Sequence, residues 1–133
     1  MKTMKPVLGK KDVVILDATK KGTEDRFTIT IEMQVKDSDR TFKDVLFYDA
    51  SNTQRVSVLP AILCALANQT ELPIEEFRTE DGESYDWDVD KVLSHIKGKE
   101  ITVERTSVVS ERNGQTYYNV SYRPEVEETE VEL

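Results

Sequence analysis

The sequence predicts a mainly β domain of five strands, with a helical insertion between the third and the fourth. Three observations lead there. Residues Phe27 to Val35 alternate apolar and polar side chains almost without error, which is the period-two signature of a half-buried strand. Val58, Leu59, Ile62, Leu63 and Leu66 then recur at helical spacing, so the period changes in mid-chain. Beyond them the chain returns to β-rich sequence around Asn113-Gly114, the dipeptide preferred in a two-residue type I′ hairpin turn.

The elements follow in order. Asp12 to Asp17 encloses the apolar run Val-Val-Ile-Leu, too short for a helix, and reads as the first strand. Ala18 to Asp25 is polar with one glycine and reads as a loop. In the second strand Phe27, Ile29, Ile31, Met33 and Val35 share one face, and Thr28, Thr30, Glu32 and Gln34 the other. Lys36 to Arg40 is a turn. Thr41 to Tyr48 is a third strand of mixed parity, because Phe42, Leu46 and Tyr48 oppose Val45 and Phe47; this predicts a strand covered on both faces or bulged.

Ser57 suits the N-cap of the first helix, and Pro60 lies in its first turn, where a missing N–H costs little. Asn68 to Pro73 closes that helix, and Ile74 to Phe77 suits a further short turn before the acidic loop Thr79 to Ser84. Asp88 reads as the N-cap for Val89, Val92, Leu93 and Ile96, with Gly98 as the stop. Glu100 to Arg105 opens the final hairpin. A two-residue turn at Asn113-Gly114 sets Val109 opposite Tyr118, Ser107 opposite Val120 and Arg105 opposite Tyr122. Neither face of that pairing is cleanly apolar, so a bulge or longer loop is expected to break it.

The chain has 133 residues and favours one domain. Residues 1–124 form that domain, with the helical insertion at about 57–97, and residues 125–133 form an acidic tail expected to be disordered. No stretch reaches the ~18 apolar residues of a membrane span, and no apolar segment follows the basic N-terminus. The single cysteine, Cys64, has no intrachain partner. These features predict a cytoplasmic protein without membrane association. Net charge is −8, but it is unevenly placed. Residues 1–60 carry +2 and 99–124 carry +1, whereas 61–98 carry −6 and the tail −5. The strand regions are therefore mildly basic, which keeps nucleic acid open as a partner.

Three strands, helices, then two strands is the element order of the OB fold, a five-stranded Greek-key barrel. That fold commonly binds oligonucleotides or oligosaccharides on its second and third strands and their flanking loops. An open α+β sheet has the same order. Motifs in the second half add to this reading. They are Asp88-Val-Asp-Lys-Val-Leu-Ser-His-Ile-Lys-Gly-Lys-Glu-Ile-Thr-Val-Glu104, Asn113-Gly-Gln-Thr-Tyr-Tyr-Asn-Val120 and Tyr122-Arg-Pro124. Together they resemble a family of phage-encoded single-stranded DNA-binding proteins with OB folds. Gln115 stands where that pattern commonly has lysine. The acidic tail is similar in kind to those of bacterial single-stranded DNA-binding proteins, without their Pro-Phe ending.

The resemblance implies binding of single-stranded DNA without strong sequence preference, in phage DNA replication or recombination within the host cytoplasm. It implies neither cofactor nor metal. Replication or recombination proteins are expected partners through the tail, and a homo-oligomer remains open. The expected nucleic-acid-binding residues are Lys20, Lys21, Arg26, Phe42, Lys43, Tyr48, Arg105, Arg112, Tyr117 and Asn119: cations to track phosphates, aromatic rings to stack on bases. Tyr118, Val120 and Tyr122 are expected to pack inside with Ile101 and Val103, and Phe47 to belong to the core. Trp87, between Asp86 and Asp88, reads as an anchor for the second helix, and Cys64 as a core thiol. His95 is the only histidine and has no cysteine or second histidine to share a metal with. The carboxylates between Glu75 and Asp90 accompany no nucleophile motif or phosphate loop, so catalysis is not expected. The rival reading is a protein–protein adaptor on the same fold, using its acidic insertion or tail.

Overall fold

The first strand, β1, runs from Gly9 to Gly22, well past the apolar run that announces it. In the computed structural model, residues 6–51, 58–82 and 86–123 are described. After β1 come β2 (Arg26–Val35), β3 (Thr41–Asp49), α1 (Val58–Gln69), a 3-10 turn (Ile74–Phe77), α2 (Val89–Ile96), β4 (Glu100–Val109) and β5 (Thr116–Ser121). The strands form one antiparallel sheet in the order β3-β2-β1-β4-β5.

Segment Ala18 to Gly22 is strand and not loop, and a bulge explains the difference. The β1–β2 register shifts between Ile15 and Asp17. One extra residue there reverses the parity. Val13 and Ile15 are buried before it and Ala18 after it, while Leu16 is turned out and 44% exposed. Polar residues beyond the bulge thus continue the ladder on its solvent face. The same strand serves two neighbours, since Gly9–Val14 pairs with β4 and Val13–Gly22 with β2. Only Thr23 to Asp25 remain as a turn. Gly22 closes β1 at φ +130°, where an added Cβ would collide with the Arg26 carbonyl and the Phe27 backbone. No other residue type fits this site without a shift of the backbone.

β2 behaves as its alternation predicts, with Phe27, Ile29, Ile31 and Met33 all buried. The mixed parity of β3 resolves without a bulge. Its register against β2 is unbroken from Thr41 to Asp49. Phe42 is buried and Asp44, Leu46 and Tyr48 are half-buried, whereas Val45 and Phe47 face solvent. The strand is therefore covered on one face only, and Phe47 lies outside the core.

Helix α1 places Leu59, Leu63 and Leu66 in the core, as its stripe predicts, and Cys64 is half-buried. The expected N-cap Ser57 and the expected tail lie outside the described residues. Asp88 caps α2 by accepting from Lys91 N at 3.1 Å, and Val92, Leu93 and Ile96 are buried. Gly98 leaves the helix at φ +78°. Trp87 stacks on Phe77, with centroids 4.9 Å apart, and so joins the 3-10 turn to the approach of α2. His95 Nε2 lies 2.9 Å from Thr70 O, a structural tie between the two helices.

The end of α1 is tied to the sheet by one side chain. Gln69 Nε2 donates to Thr102 O at 2.8 Å and Tyr122 O at 2.7 Å, and Thr102 N donates to Gln69 Oε1 at 2.8 Å. β5 pairs with β4 only from Glu104 onward. Gln69 therefore satisfies backbone groups that no neighbouring strand reaches.

The hairpin register differs by two residues from a type I′ pairing. Val109 faces Thr116, Ser107 faces Tyr118 and Arg105 faces Val120. The loop is longer, closed by Ser110 N to Gln115 O at 2.8 Å and Gly114 N to Ser110 O at 2.8 Å. Gly114 has φ +72° while Asn113 is not among the positive-φ residues, so the turn lacks the type I′ geometry. A shift of two preserves which face each side chain occupies.

Candidate nucleic-acid interface

Cross-strand partners share a face, so the register builds the outer surface of β1–β3 row by row. One row is Lys21, Thr28 and Phe47, and the next is Thr19, Thr30 and Val45. A third is Asp17, Glu32 and Lys43. Phe47 is 39% and Val45 59% exposed. The Arg26 guanidinium lies 5.7 Å from the centroid of Phe47, with its Nε 3.9 Å from Asp49. Lys21 and Arg26 thus flank an outward aromatic ring, whereas Lys43 lies two rows away on the same face, beside Asp17 and Glu32.

The expected aromatic residues of β3 have the opposite parity. Phe42 is only 7% exposed. Tyr48 stacks on Phe27 with centroids 4.7 Å apart. Lys20 points the same way as Tyr48: its Nζ is 5.1 Å from the Phe27 ring and 3.3 Å from Asp90 Oδ2. Lys20, Phe27, Tyr48 and Trp87 line a cleft of about 400 Å³ whose rim includes Glu24, Asp88 and Asp90. That acidic rim opposes a phosphate. Lys20 and Tyr48 are therefore separated from the outer-face group.

The hairpin forms a second surface. From Thr106 to Asn119 almost every residue is exposed. Tyr117, Asn119 and Arg112 are exposed as expected. The Tyr117 hydroxyl donates to Gln115 Oε1 at 3.1 Å and accepts from Asn113 Nδ2 at 3.0 Å. On the opposite face Tyr118 is 41% exposed, a correction to its expected burial. β5 runs beyond the core at this point, and only Val120 and Tyr122 reach back to it. Arg105 is half-buried, its guanidinium carbon 4.2 Å from the Tyr118 centroid and 4.9 Å from Phe42. Nη1 of Arg105 donates to Val7 O at 3.0 Å, and its Nε is buried with no hydrogen-bond partner among the described residues.

Tyr122 is 3% exposed, and its hydroxyl donates to Asp44 Oδ2 at 2.6 Å, which links β5 to β3 across the sheet's two ends. Burial raises the Asp44 carboxyl above the ordinary carboxylate range, against the lowering effect of the Tyr122 hydrogen bond. Burial also pushes the Tyr122 phenol well above its usual value, and the Asp44 charge adds to this. Elsewhere two cations of the insertion pair with its own carboxylates. Lys91 meets Glu76 at 2.6 Å, and Arg78 meets Glu75 at 2.6 Å and holds its carboxyl below the usual range.

Sequence reasoning named Lys21, Arg26 and Lys43, which the register places on one face, but missed Phe47 and Val45. The signal was present in the opposed parities of β3. Coupling that strand to the clear alternation of β2 through a short turn assigns Phe47 outward.

No protein-family model matches this chain, and no curated protein matches it.

Proposed function

We propose that the chain is a non-catalytic, single-stranded DNA-binding protein of phage DNA replication or recombination. On this reading the domain is an OB-type barrel with its helical insertion between β3 and β4. The antiparallel order β3-β2-β1-β4-β5 supports it, and Tyr122 to Asp44 spans the gap between β5 and β3. The observation that carries the function is Phe47. An outward phenylalanine, with a guanidinium over its ring and Lys21 in its row, offers stacking and positive charge together. Stacking is indifferent to sequence because every base has a π-face. The protein's partners would be replication or recombination proteins reached through the acidic tail.

Fluorescence anisotropy of labelled oligo-dT tests this. The protein is expected to bind the single strand, to ignore duplex, and to lose about tenfold or more in affinity between about 50 and about 200 mM salt. Phe47→Leu is expected to weaken binding about tenfold. Because the ring is exposed, the substitution should leave folding stability within about 0.5 kcal/mol. A chain blind to oligo-dT at low salt sinks the proposal. The acidic-rimmed cleft beside Trp87 then favours the adaptor reading, with a basic segment as ligand.

A further inference from the structure

Tyr117 and Tyr118 are adjacent on a strand and so point to opposite faces. A flexible single strand passing one side of the hairpin meets only one of them. Their surroundings differ. Tyr117 lies across from Val108, with its hydroxyl engaged by Asn113 and Gln115 of its own loop. Tyr118 lies over Arg105, which is itself clamped between the Tyr118 and Phe42 rings and tethered to Val7 O. That guanidinium is held by two rings and a carbonyl, and the Asp44 carboxylate lies near enough to feel its charge, so the group is fixed in place beneath the ring. A ring fixed from beneath also loses little freedom when a ligand stacks on it.

The tether continues the surface. Val7, which anchors Arg105, also lines a cleft of about 300 Å³ with Lys11 and Arg40 and, among the described residues, no acidic side chain. Lys11 comes from β1 and Arg40 from the β2–β3 turn. A base stacked on Tyr118 therefore has a basic cleft close at hand for its neighbouring phosphate.

Resting on the DNA-binding reading, we infer that the inner face of the β4–β5 hairpin is a nucleotide subsite. Tyr118 and not Tyr117 is its base platform, Arg105 is the residue that positions that platform, and Lys11 in the adjoining cleft receives the phosphate. The ligand class is a single-stranded oligonucleotide without base preference at this position.

The test is anisotropy with oligo-dT on the full chain, with thermal melts to check folding. Tyr118→Leu is expected to weaken binding about tenfold, Tyr118→Phe to retain it, and Tyr117→Leu to change it less than about twofold. Lys11→Gln is expected to lower the slope of log affinity against log salt by about 0.7. A folded Tyr118→Leu protein that binds like the parent overturns the inference, whereas loss on Phe47→Leu in the same series keeps the functional reading intact. If Tyr118→Leu fails to fold, photocrosslinking of an iodouracil oligonucleotide to the unaltered protein decides. Crosslinks at Tyr118 support the subsite, and crosslinks confined to Tyr117 or Phe47 overturn it. Absence of any binding by the unaltered chain overturns the functional reading, and this inference with it.

Discussion

Gln69→Leu is expected to cost about 2–4 kcal/mol of folding stability, because it leaves several partly buried backbone groups without partners. The amide occupies the place of a strand. It accepts from Thr102 N and donates to the carbonyls of Thr102 and Tyr122, each between 2.7 and 2.8 Å. Leucine has about the right volume and good helix propensity, so neither a cavity nor a propensity change explains a loss. What disappears is polar satisfaction, and an unsatisfied buried group costs more than a hydrogen bond contributes. Equilibrium urea unfolding at neutral pH measures this, with the denaturant slope as a check that the unfolded state is unchanged. A loss below about 0.5 kcal/mol would show that water replaces the amide and that the clamp is incidental.

Tyr122→Phe comes next, with an expected loss of about 1.5–3 kcal/mol at neutral pH, the range for a hydrogen bond to a charged group. Asp44 is half-buried and its carboxyl is raised by desolvation, and the phenol hydroxyl at 2.6 Å, ahead of the Val45 N–H and the Arg105 charge, favours the ionised form there. The pH dependence follows from the direction of that shift. A carboxyl whose folded value lies above its unfolded value of 3.8 holds its proton more tightly in the native state. Its ionisation therefore lowers stability as pH rises through the folded value, and the cost vanishes below the unfolded value. Removing the hydroxyl raises the folded value further. The penalty of Tyr122→Phe should then be greatest near pH 7 and clearly smaller at about pH 4. Adding Asp44→Leu should recover most of the loss, since deleting both partners leaves no orphan group. A penalty independent of pH would sever the link between Tyr122 and the Asp44 charge.

These two contacts mark where sequence reasoning stopped. Tyr122 was expected inside, and it is, but nothing local ties it to a carboxylate 78 residues away. Gln69 carries no pattern at all, because a lone glutamine near a helix end is ordinarily a solvated residue. The bulge at Leu16 was equally silent: it inverts the face of everything after it, so an apparent loop became the second half of β1.

The candidate site divides in the same way. The basic residues of β1–β3 could be named from charge asymmetry along the chain, and Lys21, Arg26 and Lys43 share one face of the sheet. The aromatic residues could not, because choosing between Phe42 or Tyr48 and Phe47 requires the register with β2. That register turns Phe42 into the core and Phe47 out. Tyr118 failed for a related reason. Its inward parity was right, yet β5 extends past the last core layer, so parity led to Arg105 and solvent rather than to burial.

The sequence by itself determined the period of each element: alternation in β2, the apolar stripe of α1, the Asp88 cap of α2 and the return to strand after Gly98. These depend on residues within one or two turns of each other, and local sterics and local burial decide them. Only the tertiary structure decided which polar groups are satisfied across the sheet, where the bulge falls, and which of two opposed aromatic sets meets solvent. Those outcomes depend on strand pairing between segments far apart in sequence, and a one-residue change of register exchanges every inward side chain for an outward one.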